Sequence, residues 1–148
     1  GGLNLGTFGG IGALKLGGQL IVVTDHLDYF GHIQRVFGEA TGLARISAAL
    51  DVVHARLSGY RAQVWLEITA GQGDQLGRTF AQLQAMIDGV KEPERLGVCF
   101  DTAHALAAGY ELRTRQGYDA TWAEFDAALG LGRLKAVHLN DSKADLGS

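Results

Sequence analysis

A disulfide needs two cysteines, and this chain of 148 residues has one. Cys99 therefore has no internal partner, and a reducing cytoplasm is the expected setting. No apolar run approaches the ~20 residues that cross a bilayer, so no membrane partner is expected. No basic, apolar leader with a cleavage site opens the chain. Positive charge is also scarce. The formal net charge is −3, so no global basic field marks a nucleic-acid binder. That exclusion is weak, because bound cations can reverse the field of a carboxylate-rich site. The chain also lacks a G-x-G-x-x-G after its first strand-like run, which weakens a dinucleotide-binding fold.

What is present is an ordinary globular balance, 47% hydrophobic and 20% charged, with 22 glycines. Many of these glycines follow apolar runs, where turns belong. Residues 1–19 carry no clear period; a short helix is expected around Ile11–Leu16. Four short apolar runs read as strands, at 20–24, 63–68, 96–101 and 134–139. Between them, helical spacing predicts helices over 42–57, 78–90 and 121–129, with a short turn at 103–108. Leu43, Ile46, Leu50, Val53 and Leu57 form the stripe of the first. Thr121 and Glu124 form a capping-box pattern for the last. His54 and His32 are expected to face solvent, and Trp122 and Phe125 to be core.

Apolar strands alternating with helices indicate a parallel sheet covered by helices. An open doubly wound sheet and part of a (β/α)₈ barrel both fit. Polar groups gather at three of the four strand ends, the pattern of a barrel mouth. A complete barrel needs about 250 residues, so the fold class expected is α/β, a partial TIM (β/α)₈ barrel of about four parallel strands. The chain starts at Gly1 rather than Met and stops just after a motif, so a cut piece is expected.

The strand ends carry the chemistry. Glu67 ends VWLE, Asp101 ends LGVCFD with His104 three residues on, and His138 lies in KAVHL. Period-two alternation puts Trp65 with Glu67, Cys99 with Asp101, and Ala136 with His138 on one side of the sheet. Val64, Leu66, Val98, Phe100, Val137 and Leu139 then face the helices. Carboxylate and imidazole together are a ligand set for zinc, manganese or iron, and no thiolate cluster competes. Glu67 has two oxygens and can bridge two metals. Each group has a plainer use alone: a turn carboxylate, a helix cap at Asp101, a satisfied core histidine at His138. Gly71, Gln72 and Gly73 can offer backbone N–H groups to a phosphate, or simply turn the chain. Asn140, Ser142 and Lys143 can hold a phosphodiester, or simply form a polar loop.

These residues resemble the endonuclease IV family, the zinc-dependent apurinic/apyrimidinic endonucleases with a TIM-barrel fold. The resemblance rests on Glu67–Gly73 (EITAGQG) with Leu76-Gly77, on Gly97–His104 (GVCFDTAH) with Ala107–Tyr110, and on His138–Lys143 (HLNDSK) with Leu146–Ser148. It runs from about Gly42 to Ser148, with a divergent segment, 1–41, ahead of it that holds one barrel strand. The resemblance implies three zinc ions per complete site, with Glu67 as the catalytic, bridging glutamate. Asp101 and His138 would serve one of the bridged pair and His104 the third metal. It also implies DNA repair: hydrolysis of the phosphodiester 5′ to an abasic site, leaving a 3′-hydroxyl and a 5′ deoxyribose phosphate. Gly71, Gln72, Gly73, Asn140, Ser142 and Lys143 would then meet abasic DNA.

The pattern departs in two places. The family's His-Pro-Gly after an apolar strand is here Asp25-His26-Leu27-Asp28, with His26 one place late. The family's later ligands are absent. Weak zinc binding and little activity are expected of the isolated chain, with self-association through open barrel edges. The alternatives are a metal-dependent sugar isomerase or epimerase of the xylose isomerase-like group, and a truncated product that catalyses nothing.

Overall fold

The structure is a computed structural model. It describes the backbone of residues 12–16 and 19–23, and residues 34–59 and 63–148 in full. In chain order the elements are β1 (Gly12–Leu16), β2 (Gln19–Val23), α1 (Glu39–Arg56), β3 (Val64–Glu67), α2 (Phe80–Asp88), β4 (Leu96–Asp101), α3 (Thr102–Ala107), α4 (Arg115–Leu129) and β5 (Leu134–His138). Short 3₁₀ turns at Pro93–Arg95 and Leu131–Arg133 lead into β4 and β5.

The five strands form one sheet in the order β1-β2-β3-β4-β5. β2 through β5 are parallel, each beside its successor. A doubly wound sheet reverses its strand order and puts helices on both faces. Here the order never reverses, which is the winding of a TIM barrel, and the fold is an α/β partial barrel.

Two expectations about the elements fail. The segment expected as a helix around Ile11–Leu16 is β1, paired antiparallel to β2 with Leu16 opposite Gln19. A five-residue apolar run is too short for its periodicity to separate strand from helix. The last helix starts at Arg115 rather than 121, because the Thr114 hydroxyl accepts the Gly117 N–H at 3.1 Å. Thr121 is no cap: its hydroxyl donates to the Glu111 carbonyl at 3.1 Å.

One continuous core joins the helices to one face of β3 and β4. Val64, Leu66, Ile68, Val98 and Phe100 meet Ile46 and Leu50 of α1, Phe80, Leu83, Met86 and Ile87 of α2, and Phe125 and Leu129 of α4. Its centre is aromatic. Phe80 stacks on Tyr110 with centroids 4.0 Å apart and meets Phe125 edge-on at 5.2 Å. The Tyr110 hydroxyl also accepts the Phe80 N–H, one of the otherwise orphaned donors at the start of α2. Phe125 is buried as expected and Trp122 half-buried against it.

β3 and β4 are buried on both faces, whereas β5 is only partly covered. Val137 and Leu139, expected to face helices, are exposed. β5 also bulges. Val98 and Cys99 are consecutive on β4, but their partners are Leu134 and Ala136, so Lys135 is an extra residue. It lies over Gly97, where an added Cβ would run into the Lys135 stem and meet the Trp65 ring at 2.8 Å. Only glycine leaves room for both on the sheet's second face. No helix among the described residues is long and apolar enough to cross a membrane.

Candidate metal centre

β4 and β5 end level, with Asp101 paired to His138, and Glu67 at the end of β3 pairs with Cys99, two residues earlier and on the same face. The face away from the helices therefore delivers Glu67, Asp101 and His138 to one place, as period-two alternation requires. His104 joins them from the first turn of α3, which starts because the Asp101 side chain caps it. Asp101 Oδ1 accepts the N–H groups of Ala103 at 2.8 Å and His104 at 2.9 Å. One carboxylate thus ends the strand, opens the helix and leaves its other oxygen for the site.

Glu67 sits between the two imidazoles. Its Oε1 is 3.1 Å from His138 Nδ1 and 3.6 Å from His104 Nδ1. Asp101 Oδ2 lies 3.8 Å from His138 Nδ1. Ligand atoms of Glu67, Asp101 and His104 fall within 4.8 Å of one another, and so do those of Glu67, Cys99 and His138. The structure therefore brings together all four residues named from the sequence.

The electrostatics are those of two buried carboxylates that need a cation. Glu67 is 3% exposed and Asp101 2%. Burying unpaired charge is costly, so buried carboxylates acquire a counter-charge. Here His104 supplies one: its hydrogen bond to Glu67, above all, raises its pKa to about 9, against the opposing effect of burial. His104 Nδ1 is also 3.0 Å from the Ile68 carbonyl. A carbonyl can only accept, so Nδ1 carries hydrogen and Nε2 is the nitrogen left for a metal. Cys99 is a packing residue, as expected. Burial first, then Glu67 and Asp101, push its thiol up to about 12, so it stays protonated and is a poor ligand.

A model of the xylose isomerase-like TIM barrel family matches residues 13–148. The chain belongs to that family. It is 51% identical over 110 residues to a probable endonuclease 4 of Citrifermentans bemidjiense, covering 74% of this chain and 39% of that protein. It is 47% identical over 111 residues to a probable endonuclease 4 of Chloroflexus aurantiacus, covering 75% of this chain and 39% of the relative. The chain thus spans about two fifths of the length of these curated relatives. Among solved structures it is similar to endonuclease IV from Thermus thermophilus, at a TM-score of 0.54 and 39% identity. That match covers 63% of this chain and 33% of the other.

In this TIM-barrel family frame, the four residues lie where functional groups gather, at the C-terminal ends of the strands. The donor set fits a borderline divalent cation: two carboxylates and two imidazoles, with a second partner already holding His104. The loop after β3 carries Gly71, Gln72 and Gly73 and folds back on Thr69, whose N–H donates to the Gly77 carbonyl at 3.1 Å. Gly71 and Gly73 adopt φ of 78° and 62°, so a side chain at either position would be strained. After β5, the Asn140 amide donates to Asp101 Oδ2. The Ser142 hydroxyl is turned onto its own loop at Ala144, and Lys143 is exposed.

His54, expected in solvent, is 1% exposed. The signal was available, because His54 continues the Ile46–Leu50 stripe at a spacing of four. Asp25, His26 and His32 lie outside the described residues. Thr102, which lies in the GVCFDTAH motif but was given no role, bonds across to Asn140 just beyond β5.

Proposed function

We propose that this chain carries part of the metal centre of an endonuclease IV-type DNA-repair enzyme. In the full protein the reaction is hydrolysis of the phosphodiester 5′ to an abasic site, giving a 3′-hydroxyl and a 5′ deoxyribose phosphate. The observation that supports this reading most is Glu67 between His104 and His138, with buried Asp101 beside it, at three adjacent strand ends. The similarity to proteins named endonuclease 4 supports the substrate class. Zinc is the metal proposed; Glu67, Asp101, His104 and His138 would hold it, with Glu67 as the catalytic carboxylate. Zinc would supply Lewis acidity toward the phosphodiester oxygens. The residues themselves would hold the cation, with the Ile68 carbonyl orienting the His104 ring. Gly71, Gln72, Gly73, Asn140, Ser142 and Lys143 are proposed to meet the DNA backbone by N–H donation and charge.

The same reading divides the chain into a divergent segment, 1–41, and an endonuclease IV-like segment, 42–148. It places the protein in the cytoplasm. It also has the isolated chain self-associating along β5, where Val137 and Leu139 are exposed. The test is zinc analysis of the purified chain together with cleavage of an oligonucleotide containing one abasic site. Bound zinc with little or no cleavage is expected. Strong, chelator-sensitive cleavage would refute the inactivity of the isolated chain. Isomerisation of sugars without action on abasic DNA would favour the isomerase, and no zinc at all a non-catalytic product.

A further inference from the structure

His138 stands on β5, the partly covered strand at the edge of the sheet. Its side chain is 40% exposed, and packing alone does not hold it. Two side chains outside the proposed ligand set tie it down. The Thr102 hydroxyl, at the first residue of α3, donates to the Asn140 carbonyl at 2.7 Å and accepts the Asn140 N–H at 2.9 Å. The same oxygen lies 3.3 Å from the His138 carbonyl. Thr102 therefore pins His138, the last residue of β5, and Asn140 just beyond it to the start of α3. Asn140 completes the loop: its side-chain amide donates to Asp101 Oδ2. The other oxygen of Asp101 is held by the N–H groups of Ala103 and His104. With both oxygens engaged, the carboxylate has one orientation, with Oδ2 toward His138.

We infer that Thr102 and Asn140 form a clasp whose function is to position Asp101 and His138 for a divalent cation. This rests on the metal-centre reading above. Both are positioning residues: neither is proposed to touch the metal. Packing does not require them. Asn140 is exposed, and a solvated strand-end loop gains little stability from one pair of hydrogen bonds. Partners that orient metal ligands govern affinity much more strongly. The hydroxyl and the amide therefore matter to cation binding and little to folding.

The experiment uses the whole chain, cobalt(II) as the probe, and its visible absorption as the readout. Thr102→Val keeps the shape and removes the hydroxyl; Thr102→Ser keeps the hydroxyl and removes a methyl; Asn140→Ala removes the amide. Thr102→Val and Asn140→Ala should each weaken cobalt binding by about 10- to 100-fold, the usual effect of losing a ligand's outer partner, and alter the ligand-field bands. Thr102→Ser should keep the wild-type spectrum and bind within about threefold, because the orienting hydroxyl remains. All three should melt within a few degrees of wild type in chelator. Wild-type affinity and spectrum in Asn140→Ala would overturn the clasp. So would equal loss in Thr102→Ser and Thr102→Val, which would assign the effect to packing. A wild-type chain that takes up no cobalt would instead bring down the metal-centre reading, and the clasp with it.

Discussion

His104 Nδ1 lies 3.0 Å from the Ile68 carbonyl and 3.6 Å from Glu67 Oε1, so one ring nitrogen faces both a backbone acceptor and a buried carboxylate. In the metal-free chain that arrangement favours the imidazolium. The pKa rises from 6.5 to about 9, chiefly through the Glu67 hydrogen bond. A histidine raised in the fold contributes stability that is complete below its unfolded value and fades as pH passes the folded value. Chelator-treated protein should therefore lose thermal stability between pH 6.5 and about 9. His104→Ala should flatten that slope. Zinc must displace the same proton, so apparent affinity should rise by up to about tenfold per pH unit over this range. Calorimetric zinc titrations in buffers of different ionisation enthalpy would count the released proton.

Asp101 divides its two oxygens between helix and site. Asp101→Asn retains an oxygen that can cap α3 but removes the charge, so the metal-free melting temperature should change little while zinc affinity falls sharply. Asp101→Ala should lose the affinity and, in addition, about 1 kcal/mol of stability from the missing cap. Chelator-treated melts and zinc titrations of both variants test the division. An equal loss of stability in the two would show that the cap contributes nothing.

Both ring nitrogens of His54 lack hydrogen-bond partners among the described residues, and the residue is 1% exposed. Burial, reinforced by nearby Arg95, lowers its pKa. A histidine held neutral in the fold costs stability as pH falls below the ordinary histidine value of 6.5 and the unfolded chain takes up the proton. His54→Leu should stabilise the chain by roughly 1 kcal/mol at neutral pH, because orphaned polar atoms leave the core. The gain should widen toward pH 5. Urea melts at two pH values measure it.

Gly97 separates the Trp65 ring from the Lys135 stem. Gly97→Ala should cost about 1–3 kcal/mol through overpacking. Combining it with Lys135→Ala should recover part of that, since the nearest contact is the lysine stem. A fully additive double variant would show that the lysine is not the obstruction.

The true start of α4 is testable in the same way. Thr114→Ala should cost about 1 kcal/mol, while Glu124→Ala, on an exposed face, should stay within about 0.5 kcal/mol. The reverse order in thermal melts would restore the capping box at Thr121.

Strand ends that switch from apolar to polar were legible because burial and alternation act locally. Glu67, Asp101 and His138 needed only their own strands to be placed on one face. α1 and α2 were legible from their apolar stripes. The rest was hidden for specific reasons. The first turns of α4, Arg115–Ala120, offer no apolar period because they face solvent, so its start was set by one threonine hydroxyl. β1 is an apolar run whose identity comes from pairing with β2; the Gly17-Gly18 pair between them was the available hairpin signal. Polarity misleads at His54, although its position on the stripe points inward. Thr102 and Asn140 were invisible as a pair, because 38 residues separate them and only the sheet brings them together.

The bulge at Lys135 bears on how this strand tolerates a change of length. Elsewhere in a strand, losing one residue turns every later side chain to the opposite face. Leu134 and Ala136 already oppose consecutive residues of β4. Deleting Lys135 would close the ladder and leave His138 opposite Asp101. Deleting Ala136 or Val137 would do the same, because any one residue lost between Leu134 and His138 removes the same surplus. Within β5, then, the bulge is a reserve of one residue that can be lost without disarming the site.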